Sequence, residues 1–322
     1  MSSKVEEEAE ACATNGTDDM AKHGGAMPSK EEERKVEACT NGNNTEETAK
    51  DDEGEEAAFA AVMAQVAAEG VRALHARVEA EWGPVLQSAC QTAAARALWG
   101  RAVGDPAAGV LAGERFLRAL RDKMRRDERA GAREVHGVMI AVRTLWFDKR
   151  IEAAVHALGG DPQVVLLGAG LVPANIQDAD WITKLQSCGY VPERNTVWVL
   201  EGIIYYLHNA PAMQVLETIA ASSTSSSTVL LADFMNKNAT SLSPTIYHFY
   251  HESPELLLPS IGFSQVTLSQ IGDLQAHFGL LSHPENLFEK LRRLPRSTET
   301  NPEDGTPCCR LYFVEASASP DD

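Results

Sequence analysis

The sequence has no Cys-x-x-Cys pair, no Gly-Lys-Ser/Thr tripeptide and no long apolar run. The first absence, over six cysteines (Cys12, Cys39, Cys90, Cys188, Cys308 and Cys309), argues against a zinc site and a disulfide framework. The second excludes a P-loop. The third argues against a membrane partner: a span needs about 18 apolar residues, and the best candidate, Val197 to Leu207, is shorter and contains Glu201. Positive charge is also scarce. Lys and Arg total 29 against 46 Asp and Glu, for a net charge of −17. Such a chain is a poor match to a polyanion, which excludes nucleic acid as main partner. The N-terminus is acidic from Glu6 onward and lacks the apolar stretch of a secretory signal. It is also too acidic for an ordinary transit peptide. A reducing compartment is expected, the cytoplasm first, with the plastid left open. The sequons at Asn15, Asn43 and Asn238 then carry no meaning.

What is present divides by composition. At 322 residues, length alone suggests two domains or one large one. Residues 1–56 hold seventeen acids against six bases and are rich in Asn, Thr and Gly. They cannot bury enough apolar surface to offset their ordering entropy, so composition predicts a disordered acidic tail over 1–56. Glu10-Ala11-Cys12 with Thr14-Asn15-Gly16 returns as Glu37-Ala38-Cys39 with Thr40-Asn41-Gly42, a single duplication and no solenoid period. Phe59, Val62, Val66, Val71, Leu74 and Val78 then recur at helical spacing, which predicts one amphipathic helix over 57–82. Further helices are expected at 92–99 and, after the Gly104-Asp105-Pro106 turn, from Gly113 to about Asp127. The latter is basic (Arg115, Arg118, Arg121, Lys123). It reads as a solvated face paired with Glu114, Asp122, Asp127 and Glu128 rather than as a phosphate site. Two more helical segments between His136 and Leu158 complete an N-terminal helical region, 57–160.

The pattern changes at 161. Gln163–Gly168, Thr196–Glu201 and Thr228–Asp233 are short apolar runs rich in β-formers, as buried parallel strands are. Helices are expected between them at 178–188 and 210–221, with Pro211 in the first turn of the second. A short helix and turn (253–262), a strand (263–268), a helix (271–281), a polar loop (297–307) and a last strand (310–315) follow. Strands alternating with helices predict an α/β sheet covered on both faces, as a core over 161–318.

In such sheets the ligand sits at the carboxyl ends of the strands. Three strands here end in Gly168-Ala169-Gly170, Glu201-Gly202 and Asp233. A glycine turn lets backbone approach a nucleotide closely. It lacks the third glycine and helix start of the dinucleotide fingerprint, so a nicotinamide oxidoreductase ranks low. A nucleoside ligand without pyrophosphate fits better, and S-adenosylmethionine (SAM) is the obvious one. No Ser/His/Asp set or paired-carboxylate arrangement stands out, and His136 and His208 read as structural.

Four ordered motifs then carry a resemblance. Asp105-Pro-Ala-Ala, Ile140-Ala-Val-Arg143-Thr144-Leu-Trp-Phe-Asp148, Gln163-Val-Val-Leu-Leu-Gly-Ala-Gly170 and Val197-Trp-Val-Leu-Glu-Gly-Ile-Ile-Tyr-Tyr-Leu207 resemble the leucine carboxyl methyltransferase superfamily. They are closest to its plant and bacterial SAM-dependent branch, over about residues 60–317. The resemblance implies a Rossmann-like class I SAM methyltransferase sheet, preceded by an N-terminal helical region. It implies that Arg143 pairs with the cofactor's carboxylate, a role that suits the guanidinium fork; the competing reading is a surface pair with Asp148. It further implies cofactor contacts from Gly168, Ala169, Gly170 and Glu201. Tyr205 and Tyr206 are candidates for the acceptor pocket or for packing under the sheet.

One departure matters. Family members continue the glycine turn through a second strand, whose terminal acid holds the ribose hydroxyls. Here Leu171 is followed at once by Val172-Pro-Ala-Asn-Ile-Gln-Asp-Ala-Asp-Trp181, which resembles a later family segment. About 50 residues, roughly one and a half βα units, are missing at that point. Asn175 then stands where an aspartate beside the adenine is usual, with Ile176 as apolar neighbour. Asp178 or Asp180 could replace the ribose acid only by accident. The expected sheet lacks its second strand, its first strand becomes an apolar edge, and SAM affinity falls. The expected function is a SAM-dependent O-methyltransferase acting on a small-molecule or protein carboxylate. The alternative is a shortened, non-catalytic form that folds without binding SAM.

Overall fold

The computed structural model describes residues 44–130, 137–168, 172, 174–242, 246–281 and 287–320. The chain forms two compact units. One holds the residues up to Leu98 together with Asp105–Arg121; the other holds Trp99–Gly104 and everything from Asp122 onward. Among the described residues no single helix is long and apolar enough to cross a membrane.

The first unit is helical. α1 spans Asn44–Val66, α2 Glu69–Glu81 and α3 Pro84–Leu98. After a four-residue helical turn, α4 (Gly100–Val103), α5 runs Ala108–Arg129 and lies in this unit as far as Arg121. Two sequence expectations change here. The backbone of α1 is helical from Asn44, inside the stretch assigned to the tail, most of which lies outside the described residues. The single helix expected over 57–82 is two, bent by 82°, because Ala68 leaves helical dihedrals (φ −58°, ψ 136°). The bend rotates the apolar stripe. Val66 and Val78 stay buried with Cys90, Ala94, Ala112, Phe116 and Leu117, whereas Leu74 turns outward and is 51 % exposed. α5 is interrupted at Gly113 (φ 75°, ψ 164°), where a Cβ would lie within 2.7 Å of the His75 ring. The basic side of α5 pairs with acids. Arg118 bonds Glu114 at 2.8 Å, Arg115 approaches Glu79 at 3.7 Å, and Arg121 pairs with Glu56 while lying over the Phe59 ring.

The second unit is α/β. α6 (Val138–Leu158) belongs to it, one continuous helix where two segments were expected. β1 (Gln163–Leu166), α7 (Trp181–Ser187), β2 (Thr196–Leu200), α8 (Asn209–Ala221) and β3 (Thr228–Met235) follow, then α9 (Pro254–Ser260), β4 (Gln265–Gln270), α10 (Leu287–Arg293) and β5 (Leu311–Ala318). The five strands form one sheet in the order β1-β2-β3-β5-β4. β1, β2 and β3 are parallel, with Val165 opposite Trp198 and Trp198 opposite Leu230. β5 is antiparallel to both β3 and β4. Every residue of β2 and β3 is buried, as central strands covered on both faces must be.

Each face has its own core. Val142, Trp146 and Phe147 of α6 pack on Val197, Val199, Leu231 and Phe313. Trp181, Val215, Leu216, Ile219 and Leu258 pack on Trp198, Leu200, Leu230 and Ala316. Among the described residues no second strand flanks β1, which lies at the sheet edge as expected. The helix expected over 271–281 does not form. Positive φ at Gly272, Phe278 and Gly279 (98°, 52° and 72°) breaks it, and the Asp273 carboxylate accepts from the Gln270 N–H. Only a 3-10 turn, Leu274–Ala276, remains. α10 was not anticipated.

Candidate functional site

At the carboxyl ends of β2 and β3 the chain gathers one cation and two carboxylates. β2 stops at Leu200, and Glu201-Gly202 makes the turn out of the sheet. Gly202 is required there twice over. Its φ is +65°, and a Cβ would lie 3.1–3.3 Å from the Arg143 guanidinium. Arg143 reaches the turn from α6. Its Nε donates to Glu201 Oε1 at 3.1 Å and its Nη1 to the Tyr205 hydroxyl at 3.2 Å. Nη1 also lies 3.6 Å from Asp233 Oδ2. Asp233 is fully buried in β3, and its Oδ1 accepts the Gly202 N–H at 2.6 Å. Asp233 thus fixes the turn and the guanidinium together. Among the described residues its Oδ2 makes no hydrogen bond.

The electrostatics follow from burial. Two acids face one guanidinium; Asp233 is fully buried and Arg143 nearly so, and charge is costly there unless paired. Burial pushes the Asp233 carboxyl up to about 6; Arg143 and the Gly202 N–H pull it down and Glu201 adds to the rise. Burial also works against the Arg143 charge, but Tyr205, Asp233 and Glu201 outweigh it and raise its pKa. The Tyr205 hydroxyl is driven well above its ordinary value by burial and then by Asp233, so it stays a neutral hydroxyl.

Aromatic rings stand over this cluster. Tyr205 and Tyr206 lie in the 3-10 turn after Gly202. Tyr247 meets both rings edge-on, at 5.0 and 5.5 Å between centroids. The backbone N–H groups of His248 and Phe249 donate to the Tyr205 carbonyl, and the His248 ring stacks on His208 at 4.1 Å.

The segment after β1 differs. Gly168 follows β1 with φ +86°, and a Cβ there would strike Ile203 at 2.7 Å. Ala169 and Gly170 lie outside the described residues. Asn175 closes a local turn: its Oδ1 accepts the Gln177 N–H and its Nδ2 donates to Asp178. Lys184 holds both acids of the segment, Asp178 at 3.0 Å and Asp180 at 2.9 Å. Ile176 is half-buried against the core beneath the sheet.

Arg143, Glu201, Tyr205 and Tyr206 therefore come together as one group. Arg143 pairs inward with Glu201 and Asp233, not along the surface with Asp148. Asn175 and Ile176 form a separate, local arrangement. Sequence reasoning noted Asp233 as a strand-end acid without placing it in the site, although Glu201 carries the same signal. Tyr247 has no such signal, since the fold alone brings it to the turn.

Residues 89–171 and 170–220 match the leucine carboxyl methyltransferase family. The matched segment contains Arg143, Gly168, Asn175, Ile176, Glu201, Tyr205 and Tyr206, and its two pieces meet at Gly170-Leu171. No curated protein matches the chain.

Proposed function

We propose that the chain is a SAM-dependent O-methyltransferase for a carboxylate, with a cofactor site that keeps its amino-acid end and lacks its ribose end. One observation carries the reading. Within the family segment, Arg143 is held at the carboxyl end of β2 by Glu201, with its side chain 13 % exposed and Glu201 28 % exposed. Nη2 of Arg143 makes no hydrogen bond among the described residues and remains for a ligand carboxylate. Glu201 is the acceptor for the adjoining ammonium. These residues fit an amino-acid head group.

The residues near Gly168 do not fit a ribose equally well. Two hydroxyls need a free carboxylate, and the two acids that follow in sequence, Asp178 and Asp180, are tied to Lys184. The cofactor, when bound, supplies a methyl group on a sulfonium. A carboxylate acceptor is already ionised at neutral pH, so the protein's task is alignment rather than proton removal. Arg143 and Glu201 orient one partner. Tyr206 and Tyr247 are half-buried beside them and border the acceptor side.

A second reading, a form that folds without binding SAM, is favoured by the edge position of β1 and by the family match breaking at Gly170-Leu171. Two charge-assisted bonds of about 1.5–3 kcal/mol each are lost with the ribose acid. Affinity should then drop roughly 10²–10⁴-fold. Titration calorimetry with SAM and S-adenosylhomocysteine decides between the readings. Weak saturable binding, reduced further in Glu201→Gln, supports the proposal. No binding at millimolar ligand supports the second reading.

A further inference from the structure

Among the described residues β1 is an unpaired edge with a self-complementary face. Its neighbours across the register, Val197 and Val199, are buried under α6, whereas Val164 and Leu166 on that same face are 39 % and 54 % exposed. The N–H groups of Gln163 and Leu167 donate to the carbonyls of Asn195, just before β2, and of Val199 in it. By strand alternation the N–H and C=O groups of Val164 and Leu166 therefore point outward, away from the sheet. Among the described residues no strand receives them. The opposite edge is managed differently: β4 shows Gln265 and Thr267 outward and lies beside α9. Edge strands are ordinarily blunted by charge, yet nothing from Pro162 to Gly168 is charged.

We infer that β1 pairs antiparallel with β1 of a second copy of this chain, with Val165 on the two-fold axis, to make one continuous sheet. The register follows from hydrogen-bond geometry. Antiparallel residues that exchange both bonds must both point outward, and side chains directly opposite must share a face. Centring on Val165 sets Val164 against Leu166 of the copy, twice, and satisfies all of the outward amides and carbonyls. Centring on Val164 sets Leu166 opposite Pro162, which has no N–H, and leaves a Leu166 carbonyl without a donor. Pro162 on one side and the Gly168 turn on the other limit the ladder to this short stretch, so the occupant must be short, uncharged and apolar on one face. A second β1 meets all three terms without like-charge repulsion. The contact is small beside the ~1,000 Å² of a stable interface, so the association is weak, with half-dimerisation at roughly 10–100 µM.

Sedimentation velocity on the full chain tests this between about 2 and 500 µM. The mass should rise from 34.9 kDa toward twice that value. Leu166→Lys should weaken association at least tenfold, with the melting temperature held within a few degrees because the side chain is already half exposed. A monomer at every concentration, or a dimer indifferent to Leu166→Lys, overturns the proposal. A covalent test covers the case in which the lysine variant misfolds. A non-hydrogen-bonded pair on the two-fold brings Cα atoms to about 4.5 Å, within disulfide reach. In a background with Cys12, Cys39 and Cys188 replaced by Ser, Val165→Cys should form a disulfide dimer on mild oxidation. Thr267→Cys on the opposite edge should not. Equal cross-linking at both edges contradicts the register.

Discussion

The segments after β1 and after β2 are built on opposite terms. At β2 and β3 the polar groups are buried and hold one another across long stretches of sequence: Arg143 from α6, Glu201 and Gly202 from the turn, Asp233 from β3. At β1 the polar groups are exposed and pair with near neighbours: Asn175 with Asp178, and Lys184 with Asp178 and Asp180, at side-chain exposures between 38 % and 62 % for the last three. The first cluster is positioned by the packing of whole elements and persists as long as the sheet does. The second is positioned by its own loop, through contacts between residues no more than six apart. A buried network depends strongly on each member; an exposed one hardly notices a loss.

That contrast should break first at Arg143. Arg143→Ala leaves Asp233 buried without its cation, a loss of about 3–5 kcal/mol. Calorimetric melting should fall by at least about 6 °C. The pH dependence comes next. The Asp233 carboxyl, raised to about 6, is protonated more readily in the folded chain than in the unfolded one. Its contribution is therefore most favourable below about pH 4 and declines as pH rises through about 6. Asp233→Asn removes this dependence. Wild type should lose on the order of 3 kcal/mol relative to the variant between pH 4 and pH 7, as read by denaturant unfolding at each pH. Gly202→Ala should follow at about 1–2 kcal/mol, from its positive φ and the close guanidinium, seen as a lower urea midpoint. Lys184→Ala should come last, moving the melting temperature by no more than about 1 °C.

Much of this was legible in the residues. The alternation of Gln163–Gly168, Thr196–Glu201 and Thr228–Asp233 with amphipathic helices carried the parallel half of the sheet. The resemblance carried Arg143 and Glu201 to the same place. The failures have physical causes. Ala68 breaks a helix whose periodicity runs on through it, and backbone dihedrals leave no trace in an apolar pattern. The region 271–281 has helical spacing, but Gly272 and Gly279 take positive φ. Asp233 and Tyr247 enter the site only through tertiary packing, 32 and 46 residues beyond Glu201.

The central claim is that the amino-acid end of the cofactor site survives while the ribose end does not. Titration calorimetry of SAM into the full chain at pH 7 tests it most directly. The account predicts saturable binding with a dissociation constant on the order of 1 mM, weakened by Glu201→Gln and unchanged by Asp178→Ala. A micromolar dissociation constant that Asp178→Ala or Asp180→Ala abolishes would contradict it, because the loop would then have rebuilt the ribose site.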